Sequence, residues 1–148
     1  MQLTQTQLNT NTYQQAVNIR IECFFKNFAN AHQLINDPFE KEAIHLVCVD
    51  NESKVVGTGR LHFVKNTGII SQMAIAPKNQ KQGIGKLILK ELIKICHEKE
   101  IQEIELSARE TALAFYKKFG FTPFNEKYPS KKTGIVHQDM IFEFLKKF

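Results

Sequence analysis

The chain of 148 residues contains only three cysteines, which are widely spaced at positions 23, 48 and 96. An odd number of cysteines, with no C-x-x-C pair among them, argues against a disulfide scaffold and against a zinc site. We therefore expect three reduced thiols and no bound metal, as is typical of a cytoplasmic protein.

Long apolar runs and tryptophan are also missing. No apolar stretch approaches the ~20 residues that a membrane-spanning helix needs, so no membrane partner is expected. The first fifteen residues are polar and lack the apolar segment of a secretory signal, which favours a cytoplasmic location. The chain contains twelve phenylalanines, which predict a core or pocket built largely from phenyl rings.

The chain also lacks a cluster of charge of one sign. The formal net charge is +5, but the lysines are spread along the chain and no nucleic-acid-binding motif is present. Nucleic acid is therefore not an expected partner, and a phosphorylated cofactor explains the positive charge equally well. Apolar residues (43%) and charged residues (24%) occur at ordinary globular frequencies, and no linker or repeat divides the chain. We therefore expect one domain over residues 1–148.

The hydrophobic pattern predicts helices that alternate with strands. Thr12 and Gln15 form a capping box for a helix over 13–29, and Asp37-Pro38 is expected to start a short second helix. The other predicted elements are an edge strand within 2–8, strands over 45–49, 55–64 and 69–76, a helix over 83–98, a strand over 101–107, a helix over 110–118 closed by Gly120, and a strand over 135–144 paired with the run near Phe121. This order predicts a mixed sheet with helices on its faces.

The most informative segment is residues 75–86, IAPKNQKQGIGK, which joins a predicted strand to a predicted helix. It contains Gly83 and Gly85 and has no carboxylate. Glycine permits a tight turn and a close backbone approach, so the free N–H groups of the helix start can bind phosphate oxygens. Lys81 and Lys86 add positive charge to that of the helix end. The segment therefore predicts a phosphate-binding loop, although an ordinary loop without a ligand is the alternative.

Two common phosphate-binding motifs do not fit this segment. A Walker A motif needs glycine and Ser or Thr where Gln80 and Leu87 stand. A dinucleotide fingerprint needs a third glycine where Ile88 stands. The loop is thus neither a P-loop nor a Rossmann turn.

The pattern Q/R-x-x-G-x-G/A, filled here by Gln80, Gly83 and Gly85, resembles the pyrophosphate loop of the GNAT N-acetyltransferase family. Residues 109–121 similarly resemble the family's N-x-x-A-x-x-x-Y-x-x-x-G-F helix, with Arg109 in place of the usual asparagine. The positions in register are Ala112, Tyr116, Gly120 and Phe121. Near the end of the chain, GIVHQDM resembles the G-I-P-H-x-x-M strand of the ElaA-like branch. The resemblance covers roughly residues 13–145.

This resemblance implies an α/β (mixed α+β) GNAT fold: a central, mostly antiparallel mixed sheet of six to seven strands, flanked by about four helices. The fourth and fifth strands of such a sheet splay apart, and coenzyme A lies in the gap. The implied cosubstrate is acetyl-CoA, without a metal. The implied acceptor is the amine of a small molecule or a peptide, and the protein is expected to be a monomer or a homodimer.

The resemblance also assigns residues to the site. The cofactor-binding residues that it implies are Met73, Ala74, Ile75, Gln80, Lys81, Gln82, Gly83, Ile84, Gly85, Lys86, Arg109, Phe115 and Tyr116. Tyr116 is the candidate general acid for the leaving thiolate, or else a packed aromatic residue. His137 is the first candidate for the base that deprotonates the amine, followed by Glu105 and His62; a structural histidine is the alternative for His137.

The acceptor itself is not identified by the sequence. The segments 24–40 and 121–132 are expected to border its site, where Phe28, Phe39, Phe124 and Tyr128 predict a partly apolar pocket. Asp37 and Glu40 suggest attraction of a cationic amine. The competing hypothesis for the whole chain is a non-catalytic acyl-CoA-binding sensor, which would retain the loop but lack a working acid and base.

Overall fold

The computed structural model describes residues 1–145, which form a seven-stranded sheet with four α-helices. The strands are β1 (Gln2–Thr6), β2 (Ile44–Val49), β3 (Val55–Val64), β4 (Thr67–Ile75), β5 (Glu103–Arg109), β6 (Thr122–Pro129) and β7 (Val136–Glu143). The helices are α1 (Asn11–Arg20), α2 (Ala31–Ile35), α3 (Ile84–Glu98) and α4 (Leu113–Lys117). A π-helical turn (Ile21–Phe25) and two 3-10 turns (Pro77–Asn79 and Glu110–Ala112) complete the elements.

The strands lie in the order β1-β2-β3-β4-β5-β7-β6. Every neighbouring pair is antiparallel except β4 and β5, which are parallel and joined through α3. The prediction of a mixed, mostly antiparallel sheet with about four helices is confirmed. No helix within residues 1–145 is both long enough and apolar enough to cross a membrane.

The larger core lies between the sheet and α3. The apolar face of this helix is buried at Ile84, Ile88, Leu92 and Ile95. Two glycines of β3 make room for it. A Cβ atom at Gly57 would lie 2.8 Å from Ile75 Cδ1 and 2.9 Å from Ile84 Cγ2, and one at Gly59 would lie 2.9 Å from Ile88 Cγ2. These positions of β3 therefore need glycine for close helix–sheet packing.

A smaller core covers the opposite face of the sheet, under α1. Side chains alternate along a strand, so Leu46 and Cys48 of β2 join the α3 core while Val47 packs with Ala16 and Ile19 of α1. The sheet thus has a helix packed on each face.

The structure corrects the predictions near the start of the chain. The capping box at Thr12 is wrong, because the Tyr13 N–H donates to Thr10 Oγ1 (3.2 Å) and the helix starts at Asn11. The predicted helix over 13–29 ends instead in the π-helical turn. The predicted helix after Asp37 is also wrong, because the Asp37 carboxylate accepts from the Phe39 N–H (3.0 Å) and closes a turn after α2 has ended.

Candidate active site

A cleft opens where β4 and β5 separate. Their parallel pairing covers only Thr67–Ile70 and Glu103–Leu106. Beyond it the pairing of β4 with β3 shifts register, and Gln72 has a φ of +54°, which marks a β-bulge. A bulge bends its strand, so the remaining residues of β4 diverge from the end of β5.

Two cavities meet in this cleft. The first, of about 410 Å³, is bordered by both strands, the π-helical turn and residues 130–133. The second, of about 660 Å³, lies between β4, the loop after it and the starts of α3 and α4. Met73, Ala112 and Tyr116 line both cavities. The two cavities are therefore neighbours that share a wall at Tyr116.

The second cavity gathers most of the residues predicted to bind the cofactor. Those that line it are Met73, Ile75, Gln80, Lys81, Gly83, Ile84, Gly85, Lys86, Phe115 and Tyr116. Ala74 and Gln82 line neither cavity, and Arg109 lines the first cavity and not the second.

The start of α3 presents unpaired N–H groups to the second cavity. Gly83 caps the helix with a φ of +83°, and the first helical hydrogen bond runs from the Leu87 N–H to the Gly83 carbonyl (3.2 Å). The N–H groups of Ile84, Gly85 and Lys86 precede that bond and have no partner within the helix. A Cβ atom at Gly85 would lie 3.5 Å from the Phe115 ring, an ordinary van der Waals contact, so this glycine lies against one wall of the second cavity.

The loop before α3 is fixed on β4 and carries an orphaned acceptor. Gln80 Nε2 donates to the Ile75 carbonyl (3.1 Å), and the buried Asn79 Oδ1 has no hydrogen-bond partner among the described residues. Free N–H groups suit phosphate oxygens, and a buried amide oxygen suits a ligand N–H. This donor set therefore fits coenzyme A, which carries both phosphates and amides. Within residues 1–145 no group of three or more His, Cys, Asp or Glu side chains is placed to hold a metal ion.

The free edge of β4 also offers backbone groups. The Ala76 N–H donates to the Val56 carbonyl (2.9 Å). Because backbone groups alternate along a strand, those of Met73 and Ile75 face the cleft, whereas those of Ala74 face β3. The Ile75 carbonyl already accepts from Gln80 and, at 3.2 Å, from the Cys23 thiol. A strand-like ligand would thus pair mainly through Met73 and the Ile75 N–H.

Tyr116 lies on α4 with only 9% of its surface exposed. Its ring centroid is 5.1 Å from that of Phe115 and 5.9 Å from that of Phe121. Gly120, with a φ of +94°, ends the helix as predicted and turns Phe121 back against this ring. Burial raises the pKa of Tyr116 to about 12, so its hydroxyl remains a hydrogen-bond donor throughout the physiological range.

His137 lies on β7 and lines the first cavity. Its Nδ1 is 2.8 Å from the Ile135 carbonyl. A carbonyl can only accept, so Nδ1 carries the proton of the neutral ring and Nε2 keeps a lone pair. The ring stacks on Tyr128, whose hydroxyl donates to Asp139 (2.7 Å) and is hydrogen-bonded to Ser107. His137 therefore has the tautomer that a base acting through Nε2 requires.

The other two candidate bases lie apart from the cavities. Glu105 of β5 lines neither of them, although burial, with Glu103 and Asp139 nearby, raises its pKa. His62 stacks on Phe39 with ring centroids 4.2 Å apart and also lines neither cavity. Of the three candidates, only His137 shares a cavity with Tyr116.

The sequence did not predict a buried group of charges beside the first cavity, which we call the arginine–carboxylate cluster (Arg20, Asp37, Glu40 and Arg60). Arg20 donates to both oxygens of Glu40 (2.7 and 2.9 Å). Arg60 donates to Glu40 (2.8 Å) and, through two nitrogens, to Asp37 (2.9 Å each). Both carboxylates are thus paired with guanidinium groups, and the prediction that they attract a cationic amine is not supported.

The arginine–carboxylate cluster also holds the bulge of β4. Arg60 Nε donates to Ser71 Oγ (2.9 Å) and Arg20 Nε donates to Gln72 Oε1 (3.2 Å). Ser71 and Gln72 line the first cavity at the point where β4 leaves β5. One sequence signal did point to the cluster: Arg20 falls three residues after Val17, in the apolar stripe of α1, where a charge needs a buried partner.

Comparisons with known proteins identify the family of this chain. Residues 7–144 match the acetyltransferase (GNAT) domain family. Over 133 residues the chain is 29% identical to YjcF, an uncharacterised N-acetyltransferase of Bacillus subtilis strain 168, a match that covers 90% of this chain and 94% of that protein.

Solved structures share the fold. That of Escherichia coli ElaA superposes with a TM-score of 0.80 at 17% identity, over 96% of this chain and 99% of that one. An aminoglycoside 6′-N-acetyltransferase, solved in complex with coenzyme A, also gives 0.80, at 13% identity over 100% of this chain and 99% of that one. With the splayed strands and the glycine loop in place, the family match over nearly the whole length shows that the chain belongs to the GNAT acetyltransferase family.

Proposed function

We propose that this protein transfers the acetyl group of acetyl-CoA to a primary amine by direct attack within a ternary complex. The observation that carries the proposal is that Tyr116 lines both cavities of the cleft. One cavity has the donor set for a phosphorylated cosubstrate, and the other contains His137. Two ligands bound in this way would be in contact, so the transfer needs no covalent enzyme intermediate.

The second cavity is proposed as the acetyl-CoA site. The N–H groups at the start of α3, with Lys81 and Lys86, would hold the pyrophosphate. Met73 and the Ile75 N–H would pair with the pantetheine amides as an added strand does. The coenzyme A complex of the aminoglycoside acetyltransferase, which has the same fold, supports this assignment. The thioester supplies an acetyl group activated for attack.

His137 and Tyr116 are proposed to handle the protons. An amine attacks only in its neutral form, so His137 Nε2 would accept a proton from it as the N–C bond forms. The C–S bond then breaks and leaves a thiolate. A thiol has an ordinary pKa of about 8.5 and is more acidic than the Tyr116 phenol, whose pKa is about 12. Tyr116 therefore stabilises the thiolate by a hydrogen bond rather than by full proton transfer. The proton removed from the amine finally neutralises the thiolate through solvent.

The test combines calorimetric titration with acetyl-CoA and an assay of thiol release with a panel of amines. Wild type is compared with Tyr116→Phe and His137→Gln, and with His32→Gln as a matched control, because His32 is exposed and lines neither cavity. We expect each site variant to bind acetyl-CoA normally and to lose about 10²–10⁴-fold in kcat. Glu105→Gln should retain activity.

The outcomes separate the two hypotheses for this chain. Binding of acetyl-CoA without turnover of any amine favours the sensor hypothesis. Turnover that survives His137→Gln but not Glu105→Gln reassigns the base. A folded protein that binds neither acetyl-CoA nor coenzyme A contradicts the proposed function.

A further inference from the structure

The charges that line the first cavity all have one sign. Its ionisable lining residues, apart from two tyrosines, are Arg109, Lys131, Lys132 and His137. None of the described residues that line it is an aspartate or a glutamate. Like charges repel, so a cavity of this kind disfavours an acceptor with a second cationic group and favours one with an anionic group.

The neighbouring carboxylates do not reverse this balance, because most of them are already paired with cationic side chains. Asp37 and Glu40 are held by the two arginines of the arginine–carboxylate cluster. Glu110 pairs with Lys127 (2.7 Å). The uncharged Tyr128 hydroxyl, which donates to Asp139, does not neutralise that carboxylate, but a single carboxylate does not balance Arg109, Lys131 and Lys132. The cluster has two arginines and two carboxylates, so Lys132, which lies 3.4 Å from Asp37 Oδ2, is a positive charge in excess.

Arg109 has donors to spare. Its guanidinium lies over the Phe24 ring, 4.9 Å from the centroid, and one nitrogen donates to the Cys23 carbonyl (3.4 Å). Within residues 1–145 neither Arg109 nor Lys131 forms an ion pair, whereas Lys132 is shared with Asp37. A planar guanidinium fixed on an aromatic ring, with free N–H groups, suits two-point binding of a carboxylate or a phosphate.

Arg109 lies beside the proposed base on the neighbouring strand. Arg109 and His137 are direct cross-strand partners of β5 and β7. The Cβ atoms of such partners lie about 5 Å apart on one face of the sheet. Because both side chains leave the same face of the sheet and line the first cavity, one acceptor can contact both residues.

We propose that the acceptor is a small primary amine that also carries a carboxylate or a phosphate, and that Arg109 and Lys131 bind this anion. The inference rests on the proposed function and specifies its acceptor. Arg109, which stands at the usual asparagine position of the family motif, then contacts the acceptor rather than the cofactor. Diamines and other polycations are poor ligands of this cavity.

The test measures binding to the protein saturated with coenzyme A, so that it does not depend on turnover. The probes are matched pairs, β-alanine with β-alaninamide and phosphoethanolamine with ethanolamine, and putrescine represents the dications. In at least one pair, we expect the member that carries the carboxylate or phosphate to bind about tenfold or more tightly than its twin, which lacks that group. The pair with the larger ratio of affinities shows whether the site prefers a carboxylate or a phosphate.

The variants assign the preference to the named residues. Arg109→Gln should reduce the ratio within that pair to about twofold, and Lys131→Gln should reduce it in part. Lys131 is exposed, so its variant tests the idea even if Arg109→Gln fails to fold. Lys90→Gln removes the same charge from an exposed position on α3 and should leave the ratio unchanged. Arg109→Gln should still bind acetyl-CoA with wild-type affinity.

Failure here is distinguishable from failure of the proposed function. Equal binding of both twins in each pair, tighter binding of putrescine, or no binding of any anionic amine overturns the inference, even if acetyl transfer is confirmed with another amine. Loss of acetyl-CoA affinity in Arg109→Gln also overturns it, since that result moves Arg109 to the cofactor. A preference for anions without any turnover sustains the anion site at Arg109 and Lys131 but contradicts the proposed function.

Discussion

Replacement of Glu40 by glutamine is expected to destabilise this protein strongly. Glu40 has 3% of its surface exposed and accepts hydrogen bonds from Arg20, Arg60 and Tyr13. Glutamine has almost the same shape but no charge. The variant would leave two guanidinium groups buried against Asp37 alone, and an uncompensated buried charge is costly.

The magnitude can be worked out in two ways. Burial by itself would raise the pKa of Glu40, but the hydrogen bonds and charges around it, above all those of Arg20, outweigh burial and lower the pKa from 4.5 to about 2. At about 1.4 kcal/mol per pKa unit, this difference corresponds to roughly 3 kcal/mol in favour of the folded state. Breaking a buried ion pair by removal of one partner typically costs about 3–5 kcal/mol. For a chain of this length the loss lowers Tm by roughly 6–20 °C.

The lowered pKa of Glu40 also predicts how the loss of stability depends on pH. A carboxyl group with a lowered pKa in the folded state stabilises the fold above its unfolded pKa, and that contribution is lost as the pH falls from about 4.5 towards about 2. The difference in unfolding free energy between wild type and Glu40→Gln should therefore be full at pH 6 and shrink below about 4.5.

Urea denaturation at a series of pH values measures this difference. Glu42→Gln is the matched control, because Glu42 is exposed and forms no ion pair among the described residues. A Glu40→Gln variant within about 1 kcal/mol of wild type would refute the reasoning. So would a difference that stays constant from pH 6 to pH 3, because it would show that the charge of Glu40 is not the cause.

Two further predictions concern the phosphate loop and the thiols. Gly83→Ala and Gly134→Ala both place a side chain at positive φ (+83° and +77°) in open space, so each should cost about 1 kcal/mol of stability. Only Gly83→Ala should weaken acetyl-CoA binding, by about fivefold to tenfold, in calorimetric titration; equal affinities in the two variants would contradict the loop assignment. Burial raises the pKa of Cys96 to about 11 and that of Cys48 above its ordinary value, so at pH 8 neither is expected to react with a thiol reagent until the protein unfolds. Rapid labelling of either one, detected by mass spectrometry of the native protein, would contradict the burial described here.

The sequence predicted the elements whose patterns are strong and local. The start of helix α3 was predicted to within one residue. Its apolar residues recur every three or four positions, and Gly83 marks the end of the preceding loop. Strand β3 was predicted at its observed bounds because turn-forming residues precede it and its run is β-branched. These signals need no knowledge of what each element packs against.

The parts that the sequence did not predict have either two equivalent local candidates or a dependence on distant contacts. Helix α1 starts at Asn11 rather than at Tyr13 because Thr10 caps it. Both Thr10 and Thr12 carry the hydroxyl that a cap needs. The turn after α2 forms because Asp37 is held by Arg60, a residue 23 positions away. No local pattern distinguishes such a carboxylate from one that is free to cap a helix.

The arginine–carboxylate cluster joins stability to the acceptor site. Gln72 adopts a positive φ, which costs a residue other than glycine about 1 kcal/mol or more unless its surroundings hold it. The hydrogen bond from Arg20 to Gln72 and the one from Arg60 to Ser71 supply that restraint, and both residues of β4 border the first cavity rather than the second. Loosening the cluster should therefore disturb the acceptor side of the cleft before the cofactor side. At a temperature where Glu40→Gln is folded, its KM for the acceptor should rise more than its KM for acetyl-CoA. A larger rise in KM for acetyl-CoA would show that the cluster does not control the geometry of the acceptor side of the cleft.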